Sequence, residues 1–469
     1  MSHYKPDPNK SVNLFINGIP VTVPEGTRIL EAAREAGVQI PTLCDHPDLC
    51  KRALCRLCVV EAEGSSKLMA ACANDVWEGA KVVTNSSRLL SIRKMIVELL
   101  LANHPKDCLT CIRNKDCQLQ SLAEIFGIRE STFRHDAIDQ RPPVPEGNAL
   151  VRDIRKCVKC GRCVEVCQEV QTARAINTSH RGMHFEICVP YGQSLTEGPC
   201  IFCGQCAEVC PVGALYEHDQ TAEARTALND KDRHVAALIS PSLGISGALG
   251  LCAQSQSAGK MVTALKSLGF KKVYNADFSA DLAMKEASRD ILDRIKTQGK
   301  LPLITCGSPG MFKFVESSYP NLAEHLGIRK TPMQMLGTFV KNQSRESGVD
   351  ISKVTIISVM PGIAEKFELA NGLRDVDLVL TAKELARMIK LAGIDFASLP
   401  ETPFDAVSGE KQEWKTMPLH DKDGVKETEV ELAGNKVKAL SVFGLANARA
   451  ILDSVSSGEC KAALVEISG

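Results

Sequence analysis

Cysteine is where this sequence concentrates its chemistry. The chain holds 20 cysteines in 469 residues, and most of them crowd before residue 211. Packing does not need thiols at fixed short intervals, so the spacing calls for metal. Cys157-x2-Cys160-x2-Cys163-x3-Cys167 recurs as Cys200-x2-Cys203-x2-Cys206-x3-Cys210-Pro211. Three thiolates at every third residue wrap one cubane, and a fourth, at the start of a helix, reaches the neighbouring one. The spacing assigns Cys157, Cys160, Cys163 and Cys210 to one [4Fe–4S] cluster. Cys167, Cys200, Cys203 and Cys206 then hold a second. Zinc prefers pairs of chelating doublets to this triplet-plus-one run. Gln168 replaces the first run's usual proline, which leaves ligation unaffected.

Two further donor sets precede these. Cys44, Cys55, Cys58 and Cys72 are spaced x10, x2 and x13. The x2 pair and distant fourth thiol fit a plant-type [2Fe–2S] site with a lengthened first loop, and zinc competes for the same pattern. Cys50, inside that loop, reads as a spare thiol. His104-x3-Cys108-x2-Cys111-x5-Cys117 suits either zinc or a [4Fe–4S] cubane. With iron, the neutral imidazole would raise the cluster's potential.

The elements that must carry these donors are legible in outline. Val12, Leu14 and Ile16 alternate up to Asn17-Gly18, and Val21 and Val23 follow, which predicts a hairpin. Thr27 is placed to cap a helix that Gly37 ends, a lead-in expected of a β-grasp ferredoxin domain. Leu89, Ile92, Ile96 and Leu99 mark an amphipathic helix ending near His104-Pro105. Residues 141–146 are proline-rich and read as a linker. Beyond His234, β-rich runs at 235–240, 301–306, 354–359 and 376–380 alternate with helices such as 282–295 and 382–391. That alternation predicts an α/β domain around a partly parallel sheet. The charged stretch 407–437 reads as an exposed insertion.

Composition closes off other classes. Lys plus Arg and Asp plus Glu are both 56, so the chain lacks the basic excess of nucleic-acid binders. An apolar share of 44% supplies real cores. The start MSHYKPDPNKSVNLF has no apolar signal-peptide core, and no membrane span is expected, which points to the reducing cytoplasm. No Walker loop or G-x-G-x-x-G occurs; Gly244, Gly247 and Gly250 read as a loop after a strand.

Four Cys, then one His with three Cys, then twin sets of four Cys is an order that resembles the N-terminal half of [FeFe]-hydrogenase catalytic subunits. It is also similar to the large Fe–S subunit of NADH:quinone oxidoreductase and to NAD-linked formate dehydrogenases. The resemblance covers residues 11–220 and implies [2Fe–2S] on the Cys44 set and [4Fe–4S] on the His104 set. Residues 234–469 resemble the hydrogenase H-domain through Ile304-Thr305-Cys306-Gly307-Ser308-Pro309-Gly310, Thr331–Gly337 and Ile357–Gly362. Active members carry a ligating Cys just before the first motif's proline and a proton-transfer Cys before that; here Ser308 and Gly307 stand there. The later Met-Pro-Cys reads Met360-Pro361-Gly362, and the lysine expected three residues on is Glu365. The final two-cysteine motif would follow residues 463–467, and the sequence stops at Gly469. Cys306, like Cys188, Cys252 and Cys460, reads as a core cysteine.

The resemblance implies a multidomain α+β and α/β chain. A β-grasp [2Fe–2S] ferredoxin domain is expected over 1–86 and a helical His-ligated [4Fe–4S] domain over 87–140. A 2x[4Fe–4S] bacterial-ferredoxin-like domain would cover 141–225, and a degenerate α/β H-domain without its H-cluster 233–469. It further implies a cytoplasmic electron-transfer subunit of an NAD-linked, electron-bifurcating hydrogenase complex, with no catalytic residues of its own. The alternative is the same role in an NAD-linked formate dehydrogenase or related complex, its C-terminal domain a docking scaffold. Expected partners are a flavin- and NAD-binding Fe–S subunit, a thioredoxin-like [2Fe–2S] subunit, separate catalytic subunits (a [NiFe] pair or a formate dehydrogenase) and ferredoxin. Flavin and NAD would sit only on those partners.

Overall fold

Asn17 and Gly18, at φ +51° and +82°, turn β1 (Ser11–Ile16) back into β2 (Ile19–Pro24), with Ile16 opposite Ile19. This computed structural model describes residues 7, 10–133, 141–240, 243–251, 257–327, 330–370, 375–405, 424–432 and 435–468. Cys252 and residues 406–423 fall outside them. The predicted hairpin is present, and Val12, Leu14 and Ile16 face the core. The helix α1 (Ile29–Glu35) follows, but Thr27 does not cap it. The Thr27 hydroxyl donates to the Pro24 carbonyl, and the Arg28 N–H is met by the Glu31 carboxylate at 3.3 Å. Gly37 does sit just past the helix end at φ +73°. Strands β3 (Val59–Ala62), β4 (Met69–Ala70) and β5 (Lys81–Val83) complete a sheet ordered β2-β1-β5-β3-β4, with β1 and β5 parallel.

Helix α2 (Ser87–Ala102) starts on a Ser86 side-chain cap and stops one residue before His104's neighbour Asn103. Its buried stripe is Leu89, Arg93 and Val97, whereas the predicted Leu99 is 44% exposed. The pattern missed a charge in the core. A short helix α3 (Gln118–Ile125) packs its Leu119 and Leu122 into the same cluster as Val97.

The stretch read as a linker partly forms strand β6 (Val144–Glu146), because Glu146 finds partners: Arg152 at 3.2 Å and the Leu195 N–H at 2.9 Å. β7 (Leu150–Arg152) pairs with it. Short helices α4 (Arg162–Glu165) and α5 (Gln205–Glu208) flank the small hairpin β8 (Asn177–Ser179) and β9 (Glu186–Cys188). β10 (Leu215–Glu217) returns to close the sheet β10-β7-β6.

The C-terminal half begins with α6 (Thr221–Asn229), β11 (His234–Ile239), α7 (Ser246–Leu249), α8 (Ala258–Ser267), β12 (Lys272–Asn275) and α9 (Phe278–Thr297). It continues through β13 (Leu303–Cys306), α10 (Pro309–Ser318), α11 (Pro332–Glu346), β14 (Val354–Met360), α12 (Ala364–Ala370), β15 (Leu378–Thr381) and α13 (Ala382–Leu391). Hairpin β16 (Val425–Leu432) and β17 (Asn435–Phe443), helix α14 (Leu445–Ser456) and β18 (Leu464–Ser468) finish it. Two sheets form where one was expected: a parallel β12-β11-β14-β15, and β13-β18-β17-β16 in which only β16 runs antiparallel. The described end of the supposed insertion is therefore ordered strand, with Glu427 paired across the hairpin to Lys438 at 2.6 Å. Gly247 lies inside α7, and Gly250 ends that helix at φ +79°, so the glycine run is more than loop. Among the described residues no helix is long and apolar enough to cross a membrane.

One core joins the halves. Ile201 and Phe202, from the second cysteine run, share a cluster of buried side chains with Ile363, Phe367 and Val442.

Candidate metal centres

Cys157, Cys160, Cys163 and Cys210 line one apolar cavity with Ile154, Ile176, Val212 and Leu215. Burial pushes the Cys157 thiol up to about 11 and Cys160 up to about 12, and it raises Cys163 well above the ordinary thiol range. Thiols so placed stay protonated unless a metal takes the proton's place. Gly161, at φ +81°, makes the turn into α4. Cys188 on β9 lines the same cavity, so it is a half-buried fifth thiol there and not a core cysteine. Cys460 is also half-buried, while Cys306 is buried as expected.

Cys200, Cys203 and Cys206 of the second repeat gather with Cys167 of the first. Burial raises Cys206 well above the ordinary range, and charge on Cys200, Cys203 and Cys167 raises it further. Cys200 is pushed up to about 12 and Cys203 to about 11 by burial. The sulfurs also receive backbone N–H groups, Ala175 to Cys167 at 3.2 Å and Phe202 to Cys200 at 3.4 Å. The helix expected to begin at the fourth cysteine instead begins before the third. Cys163 and Cys206 already lie on α4 and α5, and Cys167 sits in a wider turn, Val166–Val170, that continues α4. Gln168 permits that turn because, unlike proline, it keeps its N–H.

His104 is 9% exposed and its Nδ1–H donates to the Pro105 carbonyl at 2.9 Å. Burial lowers its pKa, so the imidazole is neutral and its Nε2 lone pair has no protein partner. Those are the conditions for a metal-binding histidine. His104, Cys108 and Cys117 line a cavity of about 230 Å³. Cys111 faces Gly213, where a Cβ would come within 2.7 Å of its Sγ. The donor set fits a cluster.

In the N-terminal set, Cys58 and Cys72 have Sγ atoms 3.3 Å apart. Hydrogen bonds from the Cys55 and Cys72 thiols hold Cys44 far below the usual thiol range, and donation to Cys44 raises both partners. Four thiols thus converge, while Cys50 is exposed. Arg93 was missed by sequence reading; it donates to the carbonyls of Leu57, Thr84 and Val59 at 3.0, 2.7 and 2.6 Å. It braces Cys58 from both sides. Among the described residues no group of three or more His, Cys, Asp or Glu is arranged to hold a single metal ion.

The donor sets touch one another. The Gln118 N–H, next to Cys117, donates to the carbonyl of Pro211, next to Cys210, at 3.0 Å. Arg52 in the Cys44–Cys55 loop pairs with Glu165 on α4. Lys156, beside Cys157, pairs with Asp107, beside Cys108, at 3.1 Å. At the other end, Phe202 stacks on Phe367 of α12 with centroids 4.2 Å apart. The Lys313 ammonium stands 5.0 and 4.7 Å from those two rings and donates to the Thr196 carbonyl.

The C-terminal motifs hold no comparable donors. Ser308 precedes α10, and the Gly307 N–H donates to the Ile467 carbonyl at 3.0 Å. A Cβ on Gly362 would meet the end of the Glu365 side chain at 3.0 Å, a tight contact that a shift of a few tenths of an ångström relieves. Burial raises the pKa of Glu365, whose Oε2 has no partner, and pushes Glu368, bonded to Thr331, up to about 7.

Residues 233–418 and 406–469 match the family described as iron only hydrogenase large subunit, C-terminal domain. Residues 9–87 match a 2Fe-2S iron-sulfur cluster binding domain, and 93–132 the NADH-ubiquinone oxidoreductase-G iron-sulfur binding region. Residues 147–216 match the ferredoxin-like domain of NADH-quinone oxidoreductase subunit 3. The chain is 36% identical to the NADP-reducing hydrogenase subunit HndD of Solidesulfovibrio fructosivorans, over 96% of this chain and 85% of that protein. It is 31% identical to Iron hydrogenase 1 of Clostridium pasteurianum, over 92% of this chain and 82% of that one. A chain in a solved NAD+-reducing [NiFe]-hydrogenase, in the H2-reduced state, is 32% identical with a TM-score of 0.41, covering 44% of this chain and 88% of its own.

Proposed function

We propose a function from one premise: this chain belongs to the iron-only hydrogenase large-subunit family. It is a mixed α/β multidomain protein with ferredoxin-like 2Fe-2S and 4Fe-4S domains and a hydrogenase-like domain. Our reading is that it is an electron-transfer subunit of an NAD(P)-reducing, hydrogenase-type complex. The domains would divide near 1–86, 87–140, 141–225 and 233–469.

The observation that carries this reading is the contact between donor sets, above all Gln118 to Pro211 and Arg52 to Glu165. Isolated structural metal sites have no need of such contacts; a relay does. Cys44, Cys55, Cys58 and Cys72 would hold [2Fe–2S], and His104, Cys108, Cys111 and Cys117 a [4Fe–4S] cluster. The crossed sets of the two repeats would hold two more. Such clusters accept and release single electrons when bound. The chain's own part is to limit water, which the burial of six of the eight repeat cysteines serves, and to direct N–H groups at sulfur.

We further propose that the C-terminal domain bears no H-cluster, because Gly307, Ser308 and Gly362 offer no thiolate. Hydride chemistry then belongs to partners: a flavin- and NAD-binding subunit, a thioredoxin-like subunit, and a separate hydrogen- or formate-activating chain. Electron bifurcation, exchange with ferredoxin and a cytoplasmic setting belong to the same proposal. The test is iron, sulfide and EPR on anaerobically purified chain. Fourteen irons in four clusters are expected. Zinc in place of iron, or infrared bands of bound CO or cyanide with hydrogen uptake to a dye, would overturn it.

A further inference from the structure

Arg162 lies one residue before Cys163 on α4 and is only 5% exposed. One of its terminal nitrogens donates to the Asp45 carbonyl at 2.6 Å and to the Gln118 side-chain oxygen at 2.9 Å. The other stands 3.5 Å from the Val209 carbonyl, a long contact. Each acceptor is the chain neighbour of a cysteine in a donor set: Asp45 of Cys44, Gln118 of Cys117, Val209 of Cys210. A single guanidinium therefore touches loops from three of the four sets.

Its charge lacks an obvious answer. The three acceptors are neutral, and the Asp45 carboxylate is taken by Arg34 at 2.7 Å and Lys51 at 2.9 Å. Its Nε is buried without a hydrogen-bond partner. A buried cation without a compensating anion is strongly unfavourable, because its charge has lost its water. A cluster held by the thiolates of the surrounding sets would carry net negative charge and so supply that anion.

We propose that Arg162 is the shared counter-charge and the mechanical hub of three clusters, a positioning residue that sets their potentials together and fixes their mutual distances. The proposal rests on the four-cluster reading above. Arginine suits the task because its planar fork meets several acceptors at once, whereas a lysine ammonium carries equal charge on one atom. Removing the charge makes each nearby anionic cluster harder to reduce. The Cys167–Cys200–Cys203–Cys206 set contributes no acceptor to Arg162 and should respond least.

The experiment uses the full chain with Arg162→Gln and Arg162→Lys, measuring iron content first and then EPR-monitored redox titrations. Fewer than four clusters in the unmodified chain would sink the underlying reading and leave no hub to test. With four present, Arg162→Gln should make reduction about tenfold less favourable at three clusters, about 59 mV each for one electron, and less so at the fourth. Arg162→Lys should recover the potentials while magnetic interaction between neighbouring clusters stays weakened. Unchanged potentials in the glutamine variant, an equal shift at all four clusters, or identical behaviour of the two variants would overturn the proposal. Should Arg162→Gln fail to assemble, Gln118→Leu removes one arm alone. It should alter only the His104-set signal, and an unaltered signal there counts against the hub.

Discussion

Lys366 and Glu384 form a salt bridge shut off from water, with Nζ 2.8 Å from both carboxylate oxygens and the side chains 0% and 3% exposed. The ammonium also donates to the His218 carbonyl, and Glu384 receives the N–H groups of Gln220 and Thr381. The pair thereby clasps the segment after β10 to α12 and α13. Lys366→Met would leave a buried carboxylate uncompensated, at a cost of about 3–5 kcal/mol. Chemical denaturation of the anaerobic protein measures this, and a loss below about 1 kcal/mol would show that the clasp is not what joins these elements.

Arg93 presents a second prediction. Arg93→Met removes three charged hydrogen bonds to carbonyls on either side of Cys58 and beside the β5 end, each worth about 1.5–3 kcal/mol. The [2Fe–2S] signal should bleach at lower temperature than the cubane signals. Uniform loss of all signals together would mean that Arg93 supports the whole chain and not this loop.

At His104 the sign follows from charge. On the proposed ligation, His104→Cys exchanges a neutral ligand for an anionic one, so that cluster's midpoint should move negative with iron content preserved. His104→Ala should instead drop about four irons per chain. An EPR titration separates the two outcomes, and an unmoved midpoint in the cysteine variant would indicate that His104 is not a ligand.

Glu368 predicts a pH dependence. Its folded pKa, pushed up to about 7 by burial from an ordinary 4.5, means that the folded state holds the proton more tightly. Stability from this group is full below about pH 4.5 and falls as pH rises to about 7, by roughly 3 kcal/mol. Glu368→Gln keeps an acceptor for Thr331 and should flatten that slope. Thermal melts of both proteins at about pH 5 and about pH 8 provide the comparison. Parallel slopes would assign the effect to another group.

The sequence was most readable where local chemistry is strict. Asn17-Gly18 forces its turn, the cysteine intervals recur at the cavity walls, and the alternation beyond His234 yields β11, β13, β14 and β15 within one or two residues. It was least readable where a charge is buried for the sake of a distant partner. Arg93 took the place of an apolar residue in α2 because carbonyls far along the chain needed donors. Glu146 turned an apparent linker into a strand for the same reason, and Val425–Leu432 hid a strand behind charges that its partner neutralises. Cys188 looked like a core thiol because nothing along the chain says that β9 folds against the first cysteine cavity.

The Phe202–Phe367 stack has a practical meaning for anyone trimming this protein. Phe202 is 0% exposed and Ile201 1% exposed, with Phe367 of α12 stacked on the first and Gly310 of α10 packed close to the carbonyl of the second. A fragment ending after α6 would open the second cysteine loop to solvent and oxygen. The trailing half, though short of thiols, thus roofs the site of the proposed second cubane. Its worth should therefore be judged by how long the iron survives in air as well as by what binds to its outer face.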